Sequence, residues 1–114
     1  MNKKMYVFLS VFFLAPFFFY GCGIQVPADK AQYVGEWQSP EMYLLITQDG
    51  SVKYKRIQGG VTKSVTGPLR EFKGNDFVVG LPVISTTFVV SRPPYEENGQ
   101  WKMAVDGVTL TRTG

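Results

Sequence analysis

The amino-acid sequence predicts an all-β domain, a small antiparallel barrel or sandwich of about seven or eight short strands, preceded by an N-terminal signal helix. Two observations carry the strand assignment. Runs rich in Val, Ile, Thr, Tyr and Phe recur from residue 42 onward, and turn signals built on Gly, Pro, Asn and Asp separate them at intervals of roughly ten residues. A third observation excludes helices from the domain: no stretch after Cys22 keeps a 3.6-residue apolar period for long enough.

The first fifth of the 114-residue chain stands apart. Asn2-Lys3-Lys4 is a short basic segment, and the apolar, phenylalanine-rich run from Met5 to Tyr20 is broken only by Ser10 and Pro16. A helix that crosses a bilayer needs about 20 apolar residues and tolerates proline poorly, so this run reads as a targeting segment removed on export. It ends in Phe19-Tyr20-Gly21-Cys22, which resembles the lipobox of bacterial lipoproteins, where a small residue precedes a cysteine. Gly21 and Cys22 match that motif; Phe19 replaces the usual leucine and Tyr20 a usual small residue. The resemblance implies a diacylglyceryl group on the Cys22 sulfur, cleavage between Gly21 and Cys22, and acylation of the freed amine, palmitate being a typical chain. Two or three chains make a stable anchor where one gives only marginal binding. In a Gram-negative host the absence of aspartate at position 23 implies sorting to the outer membrane, facing the periplasm.

Three segments follow from this: residues 1–21 as signal peptide, 22–32 as lipidated cysteine and tether, and 33–114 as the β-domain. Residues 23–32 (GIQVPADKAQ) are mixed in polarity and aperiodic, as tethers are. Cys22 is the only cysteine, so no internal disulfide supports the domain. Loss of Lys3 and Lys4 takes the basic residues from twelve to ten, against nine acidic ones. A near-neutral domain without a clustered basic stripe gives no reason to expect nucleic-acid binding.

The expected strands follow in order. Met42 to Thr47 and Ser51 to Ile57 flank Gln48-Asp49-Gly50, a hairpin turn with glycine where φ is positive. Val61 to Leu69 closes at Gly67-Pro68. Arg70 to Lys73 and Asp76 to Gly80 flank Gly74-Asn75. Leu81 to Ser91 is the longest run and stops before the loop Pro93 to Gly99. Gln100 to Val105 and Val108 to Arg112 flank Asp106-Gly107, the strongest short-range hairpin signal. Alternation puts Trp101, Met103, Val105, Val108 and Leu110 on one inward face. Val83 and Val89, opposite Ile84, Phe88 and Val90, predict that the longest run is covered on both sides or paired at an interface.

Catalytic chemistry finds little material. The chain has no histidine, which removes the commonest general base and metal ligand and leaves Ser39, Ser85 and Ser91 without an activator. Glu96-Glu97 is the one adjacent acidic pair, and neighbours on an extended strand point apart. No catalytic residue, metal site or cofactor is expected, and the chain is not expected to be an enzyme. Gly59-Gly60 lacks the lysine and helix of a phosphate loop.

Tyr33-Val34-Gly35-Glu36-Trp37 resembles the Gly-x-Trp opening of lipocalin-like (calycin) barrels. In that family the tryptophan closes one end of the barrel against an arginine of the last strand, which implies a cation–π pair between Trp37 and Arg112; the alternative is an ordinary core aromatic. Lys53, Lys55 and Arg56 form a basic strand that suits an anionic membrane surface, or equally a lysine-guarded sheet edge. The expected function is that of a membrane-anchored envelope lipoprotein with a non-enzymatic domain that binds another envelope protein. The alternative is a lipocalin-like carrier of a small apolar ligand.

Overall fold

The computed structural model describes residues 23–114. The expected signal helix over 1–21, its cleavage site at Gly21 and the acylated Cys22 lie outside the described residues. A six-residue 3-10 helix, Ala28–Tyr33, leads into nine strands: β1 Gly35–Ser39, β2 Met42–Ile46, β3 Ser51–Gln58, β4 Val61–Lys73, β5 Asp76–Gly80, β6 Ser85–Phe88, β7 Val90–Glu97, β8 Gln100–Val105 and β9 Val108–Arg112. All pairings are antiparallel, and the strands form a single curled sheet, a half-barrel, in the order β6-β5-β4-β3-β2-β1-β9-β8-β7.

The two edges of this sheet, β6 and β7, are consecutive in the chain, separated only by Val89. One run therefore pairs through its first part with β5 (Phe77 opposite Phe88) and through its second part with β8 (Val90 opposite Val105). Two carboxylates hold the junction. Asp106 accepts from the Val89 amide at 2.9 Å and Asp76 from the Val90 amide at 2.8 Å, so both amides are satisfied where the ladder breaks.

The all-β expectation holds in its coarse form, and the details differ in four places. Strands number nine instead of seven or eight: Gly35–Ser39 is an additional strand, the expected runs 61–69 and 70–73 join as β4, and the longest expected run divides at Val89. Gly67-Pro68 does not end a strand: β4 passes through it, changing partner from β3 to β5 beside a bulge at Leu69/Glu71, a place where a missing N–H is tolerated. Leu81 to Ile84 is not strand; Gly80 opposite Ser85 closes the pairing, and the Leu81 amide bonds the Ile84 carbonyl at 2.8 Å. Pro93 and Pro94 lie within β7 instead of a loop, on an edge strand with register shifts on either side of Arg92, as the sheet rule for proline requires.

The expected tether is also docked. Gly23 donates to the Gly50 carbonyl, Ile24 to that of Leu69 and Val26 to that of Gln48, each at 3.0 Å, and Val26 is buried. Its polar groups find partners in the β2–β3 turn and the β4 bulge, which is why a sequence with no periodicity is nonetheless ordered against the sheet.

The concave face carries one core. Trp37, Leu44 and Tyr54 stand in a row across β1, β2 and β3, and Met103, Val105, Val108 and Leu110 cover the β8–β9 side, all buried. An aromatic chain fills the remainder. Tyr33 meets Phe72 edge-on at 5.1 Å, Phe77 stacks on Phe88 at 5.1 Å, and Phe88 meets Tyr54 at 4.8 Å. Burying each such side chain contributes about 1.5–3 kcal/mol.

Candidate functional site

Three places on this scaffold concentrate unusual chemistry. At one end, Arg112 lies opposite Trp37 in the β1–β9 pair, with its guanidinium carbon 5.4 Å from the Trp37 ring centroid and 5.2 Å from that of Trp101. Its Nη1 donates to the carbonyls of Gln32 (3.3 Å) and Val34 (3.4 Å), and Trp37 Nε1 donates to the Tyr33 carbonyl at 3.0 Å. A planar cation between two indoles thereby fixes the chain entering β1. Sequence reading placed Arg112 with Trp37 and missed Trp101, which only the β8–β9 register brings alongside.

Beside this end a depression of about 700 Å³ is lined by Val34, Glu36, Leu45, Gln48 and Arg112. Its rim is completed by Gly114, whose carbonyl accepts from the Glu36 amide at 3.0 Å. Apolar floor and charges of both signs meet here, a composition suited to protein recognition.

The third place is the β3–β4 hairpin. From Val61 to Pro68, β4 pairs with β3 only, because β5 begins its pairing at Leu69; β3 itself pairs with β2 from Val52 to Arg56, so this hairpin, the arm, has a free edge along β4 and reaches past its neighbours only at its tip, residues 58–61. Of the three basic residues that sequence reading grouped, Lys53 and Lys55 share a face, as expected, and Arg56 does not. Lys53 and Lys55 are exposed on the convex side, whereas Arg56, one residue further along a strand of period two, points to the concave side. Arg56 pairs with Glu41 at 3.5 Å and stands directly opposite Lys63, with Gln58 and Val61 beyond. The Arg56 Nε is buried with no hydrogen-bond partner.

Next to the arm, the β5–β6 loop exposes Leu81 (61 %), Val83 (92 %) and Ile84 (75 %), and Ile57 and Val61 are exposed at the arm's tip. An apolar groove of about 510 Å³ runs between loop and arm, floored by Val65, Pro68 and Val79. Sequence reading expected the strand holding Val83 to be covered on both sides or paired at an interface; within the chain nothing covers Val83 among the described residues and it is not in a strand, and Pro82 in the middle of the run is the signal that was available. Val89 is likewise half exposed, at the junction of β6 and β7.

Glu96 and Glu97 end β7 on opposite faces, and Glu97 pairs with Lys102 at 3.3 Å. Arg92 lies 3.7 Å over the Tyr95 ring on the same strand. Among the described residues no three His, Cys, Asp or Glu side chains converge as metal ligands would. Burial pushes the Tyr33 phenol up to about 12, with the Asp76 carboxylate adding to it; its hydroxyl donates to the Asn75 carbonyl at 2.9 Å, a structural tie.

No protein-family model, curated protein or solved structure matches this chain.

Proposed function

We propose that this chain is a lipid-anchored envelope protein whose β-domain works by binding another envelope protein, without catalysis. The observation that carries the reading is the position of Gly23. It follows Cys22 directly and is hydrogen-bonded to Gly50 at the base of β3. Acyl chains on Cys22 would therefore hold the folded body against the bilayer with no spacer, in an outer membrane if the host is Gram-negative. Such an anchor fixes which surfaces a partner can reach. The depression bounded by Glu36, Leu45, Gln48 and Arg112 suits a protein partner better than a small cargo, since the interior is filled by Trp37, Phe77, Phe88 and their neighbours.

The test uses the full chain in its own envelope. Cys22→Ala should abolish the mass added by acyl chains and release the protein from membranes. A photo-crosslinking residue at Gln48 should capture a defined envelope protein in the parent chain and lose it in the Cys22→Ala variant. Unchanged mass and membrane retention in Cys22→Ala would sink the anchor, and an empty crosslinking lane in the anchored protein would sink the partner.

A further inference from the structure

We infer that the β3–β4 arm and the β5–β6 loop form a second membrane contact, in which Leu81, Val83 and Ile84 enter the bilayer interface and the arm's cations engage anionic phospholipid headgroups. This deepens the anchored reading above and rests on it for the choice of a membrane as the occupant.

Charge is the first argument. Residues 50–69, which build the arm, contain Lys53, Lys55, Arg56 and Lys63 and no carboxylate, and residues 77–91, which build the loop and its flanks, contain no charge at all. A cationic arm beside a neutral apolar loop is the composition of a surface that meets anionic lipid, where each cation near the headgroups contributes about 1 kcal/mol.

The second argument is a frustrated pair. Arg56 and Lys63 face each other directly across β3 and β4 on one side of the sheet, an arrangement of like charges that destabilises an antiparallel pair. Glu41 balances part of it from the Arg56 side, yet Arg56 Nε retains a buried proton without an acceptor. A headgroup phosphate in the small cleft of Arg56, Gln58, Val61 and Lys63 would lie between the two cations.

Placement supplies the third. Gly23 is hydrogen-bonded to Gly50, the residue before β3, and Ile24 to Leu69, which pairs with Val79 two residues before Leu81. One strand spacing and a two-residue step along β5 separate the anchor from the loop, about 10–15 Å. The arm extends from the same base through the eight residues of β3, about 26 Å. Anchor, loop and arm therefore offer three contacts along one margin of the domain, the unpaired edge of β4.

The test labels the full chain, extracted from membranes and reconstituted into phosphatidylcholine vesicles with and without phosphatidylglycerol. An environment-sensitive dye is placed at Val83→Cys and, as control, at Thr109→Cys on the outer face of β9. With phosphatidylglycerol, the dye at position 83 should shift to shorter wavelength and be quenched by nitroxide-labelled lipid, and the dye at 109 should do neither. Lys63→Glu, on the side of the Arg56–Lys63 cleft, should lower the docked-to-undocked ratio by at least about fivefold, the equivalent of about 1 kcal/mol per charge, and Lys53→Glu and Lys55→Glu, on the opposite face, should lower it less. Equal emission at positions 83 and 109 in both vesicles would overturn the proposal. So would a shift at 83 that appears in lipid-free detergent and grows with protein concentration, which would assign the loop to a second copy of the chain. Intact mass of the same sample reports acylation of Cys22 separately, so a failed anchor and a failed contact are told apart.

Discussion

The Arg112 guanidinium sits over the Trp37 indole at 5.4 Å, directly across the β1–β9 pair, and Trp101 encloses it from the other side at 5.2 Å. Because β1 and β9 are distant in sequence and adjacent in the sheet, this cation joins the beginning of the domain to its end. Arg112→Ala removes two cation–π contacts, the packed alkyl stem and two hydrogen bonds to the chain entering β1. A loss of about 1–3 kcal/mol is expected in urea unfolding followed by tryptophan fluorescence. Arg112→Lys should recover part of it, because a point charge keeps the attraction and loses the planar fit. Equal stability of all three proteins would show that the contact contributes nothing.

The docking of residues 23–26 depends on two close backbone approaches. A Cβ on Gly23 would run into the Leu69 carbonyl oxygen and one on Gly50 into that of Ile24, and Gly50 also has φ +87°. Gly50→Ala should destabilise the domain by about 1 kcal/mol or more and free the segment before the 3-10 helix. Amide exchange at Ile24 and Val26 reads this directly: both should lose protection in the variant while Leu44 and Leu110 keep theirs.

At the junction of β6 and β7, Asp76 and Asp106 serve the two amides that the sheet leaves unpaired. Asp76→Ala and Asp106→Ala should each cost about 1–3 kcal/mol, the penalty for an orphaned backbone donor, with the larger loss at Asp76, whose partner is the better buried. Asparagine at either position keeps an acceptor oxygen and should retain most of the stability. Thermal unfolding of the four variants decides this.

Alkaline stability follows from Tyr33. Its phenol titrates near 10 in the unfolded chain and is pushed up to about 12 in the fold by burial and by Asp76. The raised value means that the folded state holds the proton more tightly. The stabilisation is complete below pH 10 and is lost as pH rises toward 12. Urea midpoints measured across that range should fall for the parent chain and stay flatter for Tyr33→Phe, which lacks the ionising group. Parallel pH curves would assign the loss to other groups.

Two apolar residues close in sequence should behave in opposite ways. Phe88 is buried against Phe77 and Tyr54, and Val83 is 92 % exposed. Phe88→Ala should cost about 3–5 kcal/mol through the cavity it leaves, and Val83→Ser should change stability by less than about 0.5 kcal/mol. A large loss at Val83 in the vesicle-free protein would mean that the loop is packed in solution, contrary to its exposure.

The sequence by itself determined the β class, most hairpins and the inward face of β8 and β9, because these are set by neighbours a few residues apart. A period of two puts Trp101, Met103 and Val105 on one side, and Asp106-Gly107 turns the chain with positive φ at both residues. The pairing of Trp37 with Arg112 was legible only through a resemblance to another barrel family, and Trp101 was not, since its place depends on a strand register that spans the whole sheet. Tertiary structure alone decided the rest. Whether Val83 is covered and whether residues 23–27 are free or docked depend on which strands arrive beside them, and no local pattern carries that information. A run of apolar residues looks the same to its neighbours whether it is buried or left at the surface; only the ending of β5 at Gly80, with β4 unpartnered beyond it, leaves Leu81 to Ile84 exposed.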